Sequence, residues 1–441
     1  GWLREFVERV LASRLVAPER FDAWHASERT GGIVYLPTTS YIEMNEWTLP
    51  PAAAGEYEAL VRTEKSAGRY DARKGFLRGG IWRNFMSRYP EANWMHKRML
   101  ALSGRLAALP PGPPHDELRP LLHLAQANDA YWHGLFGGLY LPHLRREVYC
   151  NLLKLEAALD AVAPRPPLAV SDQDFDGVRE LFLGNADVQV VVKLDAHAAL
   201  CELDAYGLAH NFGDVLTQRA EHYYHKLDAV PGTGSEQAGI ASAHDRVAFK
   251  DVIVPADVAP DARPRRLFAD AWHRLDGETA WPQYAAEAFK APLMSAVFTS
   301  PLDGGEVTKT ITLAGRTLQV AYRLRNVPGG RFSVEINLAM PSCDGYSGRY
   351  VLADGSIPCG FGQALELAAS QRLTLDDRVL GGGLVLSASR PVDIRARPHY
   401  TVSQSEAGFE KIMQAACITL SWPIDAVSQE LTISLEILAD K

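Results

Sequence analysis

The chain has 441 residues, 47% of them hydrophobic and 22% charged, and its 53 acidic against 45 basic residues give a formal net charge of −8. At about 150 residues per domain this length holds two or three domains with ample buried core, and no Lys/Arg run interleaved with aromatics offers a nucleic-acid footprint. No apolar stretch reaches the roughly 18 to 20 residues that span a bilayer, so neither nucleic acid nor membrane is expected as a partner. Cys150, Cys201, Cys343, Cys359 and Cys417 are odd in number, widely spaced and without a CxxC pair. They read as buried free thiols of a reducing compartment, which places the protein in the cytoplasm.

The chain opens on Gly1-Trp2-Leu3-Arg4-Glu5-Phe6, which is neither a methionine nor a signal peptide and suggests that the beginning is missing. Leu3, Phe6, Val7, Val10 and Leu11 follow helical spacing. Gly31-Gly32-Ile33-Val34-Tyr35-Leu36-Pro37 then reads as a short buried strand closed by proline, so that helix and strand together form one unit of an α/β sheet or barrel. If that unit belongs to a missing barrel, Ile33, Val34 and Leu36 should be exposed apolar surface.

From about Ser40 to Val162 the helical period dominates, as in Met95, Met99, Leu102, Leu106 and Leu109, and in Val148, Leu152, Leu155, Leu159 and Val162. Pro110-Pro111-Gly112-Pro113-Pro114 reads as a turn or extended connector, and Pro164-Arg165-Pro166-Pro167 as the main domain boundary. After Pro167 the period becomes two. Val307, Lys309, Ile311 and Leu313 pair in a hairpin across Ala314-Gly315-Arg316 with Leu318, Val320, Tyr322 and Leu324; Phe332 to Met340 and Leu431 to Ile437 alternate in the same way. Many such strands mean a large antiparallel β-sandwich, with Pro231 to Gly239 as a flexible loop.

The densest patch of chemistry is Asn128-Asp129-Ala130-Tyr131-Trp132-His133-Gly134-Leu135-Phe136-Gly137-Gly138-Leu139-Tyr140. Aromatic faces cover the apolar C–H face of a pyranose and a carboxylate accepts its hydroxyls, so these residue types suit sugar recognition. They equally suit a packed helix start in which Asp129 caps and the glycines let helices approach. Leu36-Pro37-Thr38-Thr39-Ser40-Tyr41-Ile42-Glu43-Met44-Asn45-Glu46-Trp47 is a second cluster, where ligands of α/β sheets bind, although Ser40 and Glu43 also fit a helix capping box. The run from Gly79 through Trp82 to Phe85, followed by Glu91 to Arg98, reads mainly as interhelical packing and buried hydrogen bonding.

Asp172, Asp174, Asp176 and Gly177 match the first half of a calcium loop, but Leu183 stands where its bidentate glutamate belongs, so a strand-entry acidic turn is expected. His222 and His225, with Glu221 nearby, lack the H-E-x-x-H arrangement and read as solvent-facing or interface residues. With no Walker A, complete GxGxxG or G-x-S-x-G pattern, no cofactor and no metal are assigned.

The patch from Asn128 to Gly138 resembles the last sequence signature of glycoside hydrolase family 57, in the flavour of its 4-α-glucanotransferase and α-amylase members. Leu36 to Tyr41 with Glu46-Trp47, and Tyr89-Pro90-Glu91-Ala92-Asn93-Trp94-Met95-His96-Lys97, are similar to stretches flanking that signature. Val402 to Lys411 looks like a marker of the family's β-sandwich domain. The resemblance implies a multidomain α+β chain with the end of a (β/α) barrel over 1–45, a helical central domain over 46–165 and a C-terminal β-sandwich over 166–441. It also implies a retaining mechanism with a glutamate nucleophile and an aspartate acid/base about 5 Å apart. In the family both precede a segment that reads like Gly1-Trp2-Leu3, so no catalytic residue is assigned in this chain, which is expected to be inactive alone. Asp129 and Trp132 are carried over as glucan-contacting residues, with His133 as a weaker neighbour; Trp47 and Trp82 are added from their chemistry. The expected partner is an α-1,4-glucan or maltodextrin, and a homodimer is allowed. The rival reading is a non-catalytic carbohydrate-binding or scaffold protein; a polysaccharide lyase or epimerase would rest on the sandwich alone.

Overall fold

The computed structural model describes residues 1–13, 15–29, 31–35, 40, 42–133, 137–228, 248–343, 346–405, 408–425 and 428–439. It divides into two compact units, Gly1–Ile42 and Glu43–Lys441.

In the first unit the helical spacing yields α1 (Trp2–Ala12), followed by α2 (Phe21–Ser27), and neither contains a buried residue. Residues 31–35 form no strand, contrary to the sequence reading, and Leu36 and Pro37 lie outside the described residues. A strand exists only where neighbouring backbone satisfies its N–H and C=O groups, and among the described residues none pairs with 31–35. Ile33 and Val34 are exposed rather than buried in a strand.

The second unit begins with helices: α3 (Ile42–Trp47), α4 (Pro51–Ser66), α5 (Tyr70–Arg73), α6 (Trp82–Arg88), α7 (Pro90–Ala107), α8 (Pro113–Ala125) and α9 (Pro142–Val162). The long apolar stripes of α7 and α9 account for much of the helical core, through Met95, Met99, Leu102 and Leu106 against Val148, Leu152, Leu155 and Leu159. The proline run is shorter than expected as a connector. Pro113 and Pro114 are the first residues of α8, where a missing N–H costs nothing because that group has no intrahelical acceptor.

Strands begin at Leu168 and pair antiparallel throughout the β-sheet, as the period of two predicts. Gly305–Ala314 and Thr317–Arg325 form the expected hairpin, with Ala314 opposite Thr317 and Gly315 at φ 57°. One layer runs through Ser295–Leu302, these two strands and Ser428–Ala439; the other runs through Leu267–Arg274, Gly330–Leu338 and Gly408–Ile424. The strand Gly382–Ser405 pairs with Ser428–Ala439 along its first part and with Gly408–Ile424 along its second, so it joins the layers. Val307, Ile311, Val320 and Ile433 pack inward with Val334, Ile336, Ile418 and Leu420 in one core. Lys309 sits in the same inward series and is fully buried. Its ammonium donates to the Phe268 carbonyl at 2.7 Å and pairs with Asp270 at 3.0 Å, and Asp270 also accepts from the Tyr284 and Tyr322 hydroxyls.

Charge joins the helices to the sheet. Arg98 of α7 donates to Glu156 of α9 at 2.8 and 2.9 Å and to Glu202, on the strand Leu200–Ala205, at 3.1 and 3.2 Å. The Trp94 indole donates to the same Glu202 at 2.6 Å, so the Glu91-to-Arg98 stretch is indeed buried hydrogen bonding. The loop Pro231 to Gly239 lies outside the described residues. The cysteines form no disulfide among the described residues, but they are not buried as anticipated. Cys343 is exposed and the other four are half-buried, Cys417 at an intermediate position of the strand Gly408–Ile424.

Candidate functional site

The proposed sugar-contacting residues converge on the helical region. Trp132 and His133 follow the 3-10 turn Asn128–Tyr131, and a second turn, Gly138–Tyr140, folds back against it. The Leu139 N–H donates to the Trp132 carbonyl at 2.8 Å. A Cβ on Gly138 would stand 2.1 Å from the Trp132 carbonyl oxygen and 3.0 Å from the His133 Cα, so only glycine permits this approach. Trp47, at the end of α3, is held from the other side. The side-chain oxygen of Asn45 accepts from the Gly79 N–H at 3.0 Å, and a Cβ on Gly79 would lie 1.8 Å from the Asn45 carbonyl oxygen.

These elements set Trp47 5.8 Å from Trp132 and 5.0 Å from His133 between ring centroids. Trp82 stacks on Phe85 at 5.8 Å, and Phe85 meets His133 at 5.5 Å. Trp47, Trp82 and Trp132 are half-buried, whereas His133 is buried. Asp129 is exposed on the turn that leads into Trp132. Four of the five candidates therefore share one aromatic cluster, and Asp129 stands on its approach. Gly134, Leu135 and Phe136 lie outside the described residues, as do Leu36 to Thr39 and Tyr41.

Sequence reasoning missed the polar support beneath the cluster. Glu221 is buried and accepts from the Tyr89 hydroxyl at 2.8 and 2.9 Å, from the Tyr140 hydroxyl at 2.5 Å and from Arg88 at 2.7 Å. Arg88 also donates to the Trp47 carbonyl at 3.0 Å and to the Leu49 carbonyl. Burial pushes the Glu221 carboxyl above its usual range, against the opposing pull of Arg88 and both hydroxyls. His133 Nε2 lies 2.6 Å from the Tyr89 oxygen. Since that hydroxyl gives its proton to Glu221, the imidazole donates from Nε2. Glu221 was noticed only as a neighbour of His222, and nothing local could connect it to Tyr89, 132 positions away. Tyr224 donates to the Val402 carbonyl at 2.7 Å, and Tyr223 meets Phe409 at 6.1 Å, so Val402 and Phe409 pack against the residues that follow Glu221.

Burial, reinforced by the Arg88 charge, lowers the His133 imidazole to about 3. The unfolded chain takes up that proton near pH 6.5 and the folded chain does not, so stability falls as pH drops from about 6.5 toward 3. His133 alone is expected to contribute a loss of about 2 kcal/mol between pH 7 and pH 5. Urea unfolding at both pH values checks this: His133→Gln should lose less than the parent on acidification, and an equal loss would contradict the neutral-imidazole assignment.

The acidic turn at Asp172 to Gly177 leads into the strand Glu180–Gly184, as read from the sequence. Asp172, Asp174 and Asp176 are close enough to share a cation, and the Lys193 ammonium pairs with Asp174 at 3.0 Å, with Asp176 at 2.8 Å and with Glu180. The aromatic cluster itself offers flat apolar rings beside an exposed carboxylate. Such residue types suit contact with a polyol.

Two family descriptions match the chain in the order of these domains. The middle domain of alpha-amylase/4-alpha-glucanotransferase matches residues 80–159, and the C-terminal domain of the same family matches residues 172–436. The chain belongs to the alpha-amylase/4-alpha-glucanotransferase family. This is the family 57 type that the Asn128-to-Gly138 patch resembles. The family's relatives include an alpha-amylase of Pyrococcus abyssi, 32% identical over 439 residues, and a 4-alpha-glucanotransferase of Thermococcus kodakarensis, 33% identical over 443 residues; each match covers 96% of this chain and 63% of the relative. The crystal structure of the family's 4-alpha-glucanotransferase from Thermococcus litoralis superposes with a TM-score of 0.73 at 28% identity, covering 99% of this chain and 63% of that one. The chain thus spans about 63% of the length of these family members.

Proposed function

We propose that this chain supplies the active-site wall and β-sandwich of a retaining enzyme that cleaves and re-forms α-1,4-glucosidic bonds in maltodextrins, starch or glycogen, with glucan transfer as the preferred outcome. The observation that carries the reading is the meeting of Trp47, Trp132 and His133 in one cluster, with Asp129 exposed on the turn that leads into Trp132; Asp129, Trp132 and His133 fall inside the stretch that the family's middle domain matches. In this reading Trp132 and Trp47 face the apolar side of a glucose ring, Asp129 accepts its hydroxyls, Trp82 extends the aromatic surface, and His133 holds the rings in place. The work is divided among 1–45, 46–165 and 166–441 as barrel end, helical wall and sandwich, and the protein acts in the cytoplasm. No helix of the described residues is long and apolar enough to cross a membrane.

The nucleophile and acid/base are supplied from outside these residues, because a two-carboxylate mechanism loses orders of magnitude in rate without either partner. The test is redistribution of maltoheptaose chain lengths by this chain and by the same chain extended upstream in its gene. Activity in the extended protein alone is the expected outcome. Turnover by the 441-residue chain would mean that the nucleophile lies among its own carboxylates and would overturn this assignment.

A further inference from the structure

His222 and His225 open the 3-10 helix His222–Asp228, three positions apart and so on the same side of it. Glu58 of α4 reaches both: its Oε2 lies 2.8 Å from His222 Nε2 and 3.9 Å from His225 Nε2. Glu46 of α3 stands 3.6 Å from His222 Nε2. The sequence reading took these histidines as solvent-facing or interface residues; His225 is exposed and His222 half-buried, and that reading could not see two carboxylates arriving from other helices.

Two details aim this cluster. His225 Nδ1 lies 2.6 Å from the His222 carbonyl oxygen, so Nδ1 carries the proton and donates it, leaving the Nε2 lone pair turned toward Glu58. Arg62 donates to Glu58 Oε1 at 2.7 Å, which orients the carboxylate and leaves Oε2 for the histidines. A tetrahedral zinc ion holds nitrogen and oxygen donors at about 2.0–2.1 Å, which puts those donors about 3.3 Å from one another. The Glu58-to-histidine separations of 2.8 and 3.9 Å bracket that spacing, and the donor atoms of Glu58, His222 and His225 all lie close enough to one another to share an ion. Two imidazoles with a carboxylate suit zinc, whereas calcium and magnesium favour all-oxygen shells.

We propose that His222, His225 and Glu58 form a zinc site with a fourth position open to solvent. The ion would replace the proton that His222 and Glu58 now share, and would tie α4 to the 222–228 helix. His222 follows Glu221, so the site would brace the polar support of the aromatic cluster. The proposal stands apart from the glucan reading and is tested without an activity assay.

The chain is stripped with a chelator, dialysed, and titrated with Zn²⁺ and with Co²⁺. One zinc per chain is expected, with a dissociation constant below about 1 μM, accompanied by a rise in melting temperature. Bound Co²⁺ should show visible bands of nitrogen and oxygen ligation without a sulfur charge-transfer band in the near ultraviolet. His225→Ala and Glu58→Gln should each weaken zinc by about tenfold or more. His225 is exposed, so its replacement tests binding without threatening the fold. Absence of stoichiometric zinc, a thiolate spectrum from the five cysteines, or unchanged affinity in His225→Ala would each overturn the proposal.

Discussion

Replacing Arg98 by methionine should lower the stability of the chain by about 3–5 kcal/mol, because it leaves buried carboxylates without their cation. Arg98 is almost fully enclosed and bridges Glu156 and Glu202, with an Asp204 oxygen at 3.8 Å. Despite burial, Arg98 and Arg165 hold the Glu156 carboxyl down at about 2. Burial and the neighbouring Glu202 push Asp204 well above the ordinary carboxylate range. Without the guanidinium, Glu202 would lose its ion pair and Glu156 would keep only Arg165 at 2.6 Å, so in the dry site these carboxylates would be held in their charged form less strongly than in the parent. The loss should therefore shrink as pH falls toward 5. Arg98→Lys keeps a charge but forfeits the paired N–H geometry, and its loss should fall in between. Urea unfolding at pH 7 and pH 5 checks all three statements, and a loss under about 1 kcal/mol at pH 7 for the methionine variant would contradict the bridging role.

Trp132→Ala should weaken maltoheptaose binding by about tenfold or more, equivalent to about 1.4 kcal/mol. The indole is half-buried, tilted against Trp47 at 5.8 Å, and carried on a turn fixed by Gly138 rather than on a mobile stem. Its removal takes away ring area that the sugar would cover and loosens Trp47 as well, so Trp47→Ala in the same background should add less than it does alone. Trp132→Phe keeps a flat apolar face and should recover part of the affinity. Calorimetric titration of the variants, with melting temperatures to establish that they fold, measures this. Equal affinity for the alanine variant and the parent would remove Trp132 from the binding surface.

The sandwich and the long helices were legible because their signal is local and repeated. Val307, Lys309, Ile311 and Leu313 alternate, and all four face inward. Lys309 shows the limit of that reading: the pattern placed it correctly, but Asp270, Tyr284 and Tyr322, which make its burial tolerable, come from other parts of the chain. The same limit applies at the site. Asp129, Trp132 and His133 were visible as one dense patch, whereas Arg88, Tyr89 and Glu221 were not visible as their support, because a buried carboxylate is recognised only by the donors that surround it. The stretch from Ile33 to Tyr35 misled for the opposite reason. Its β-branched composition is that of a strand, but composition cannot supply the neighbouring strand that a ladder requires.

The most direct test of the glucan-contacting cluster is to follow the tryptophan indole N–H signals of the ¹⁵N-labelled chain during titration with maltoheptaose, with the Trp132 signal assigned by its loss in Trp132→Ala. The account predicts saturable shifts at Trp132 and Trp47 with maltoheptaose, and little response to a β-1,4-linked glucan of similar length. Shifts confined to other tryptophans, or the same response to both sugars, would contradict it.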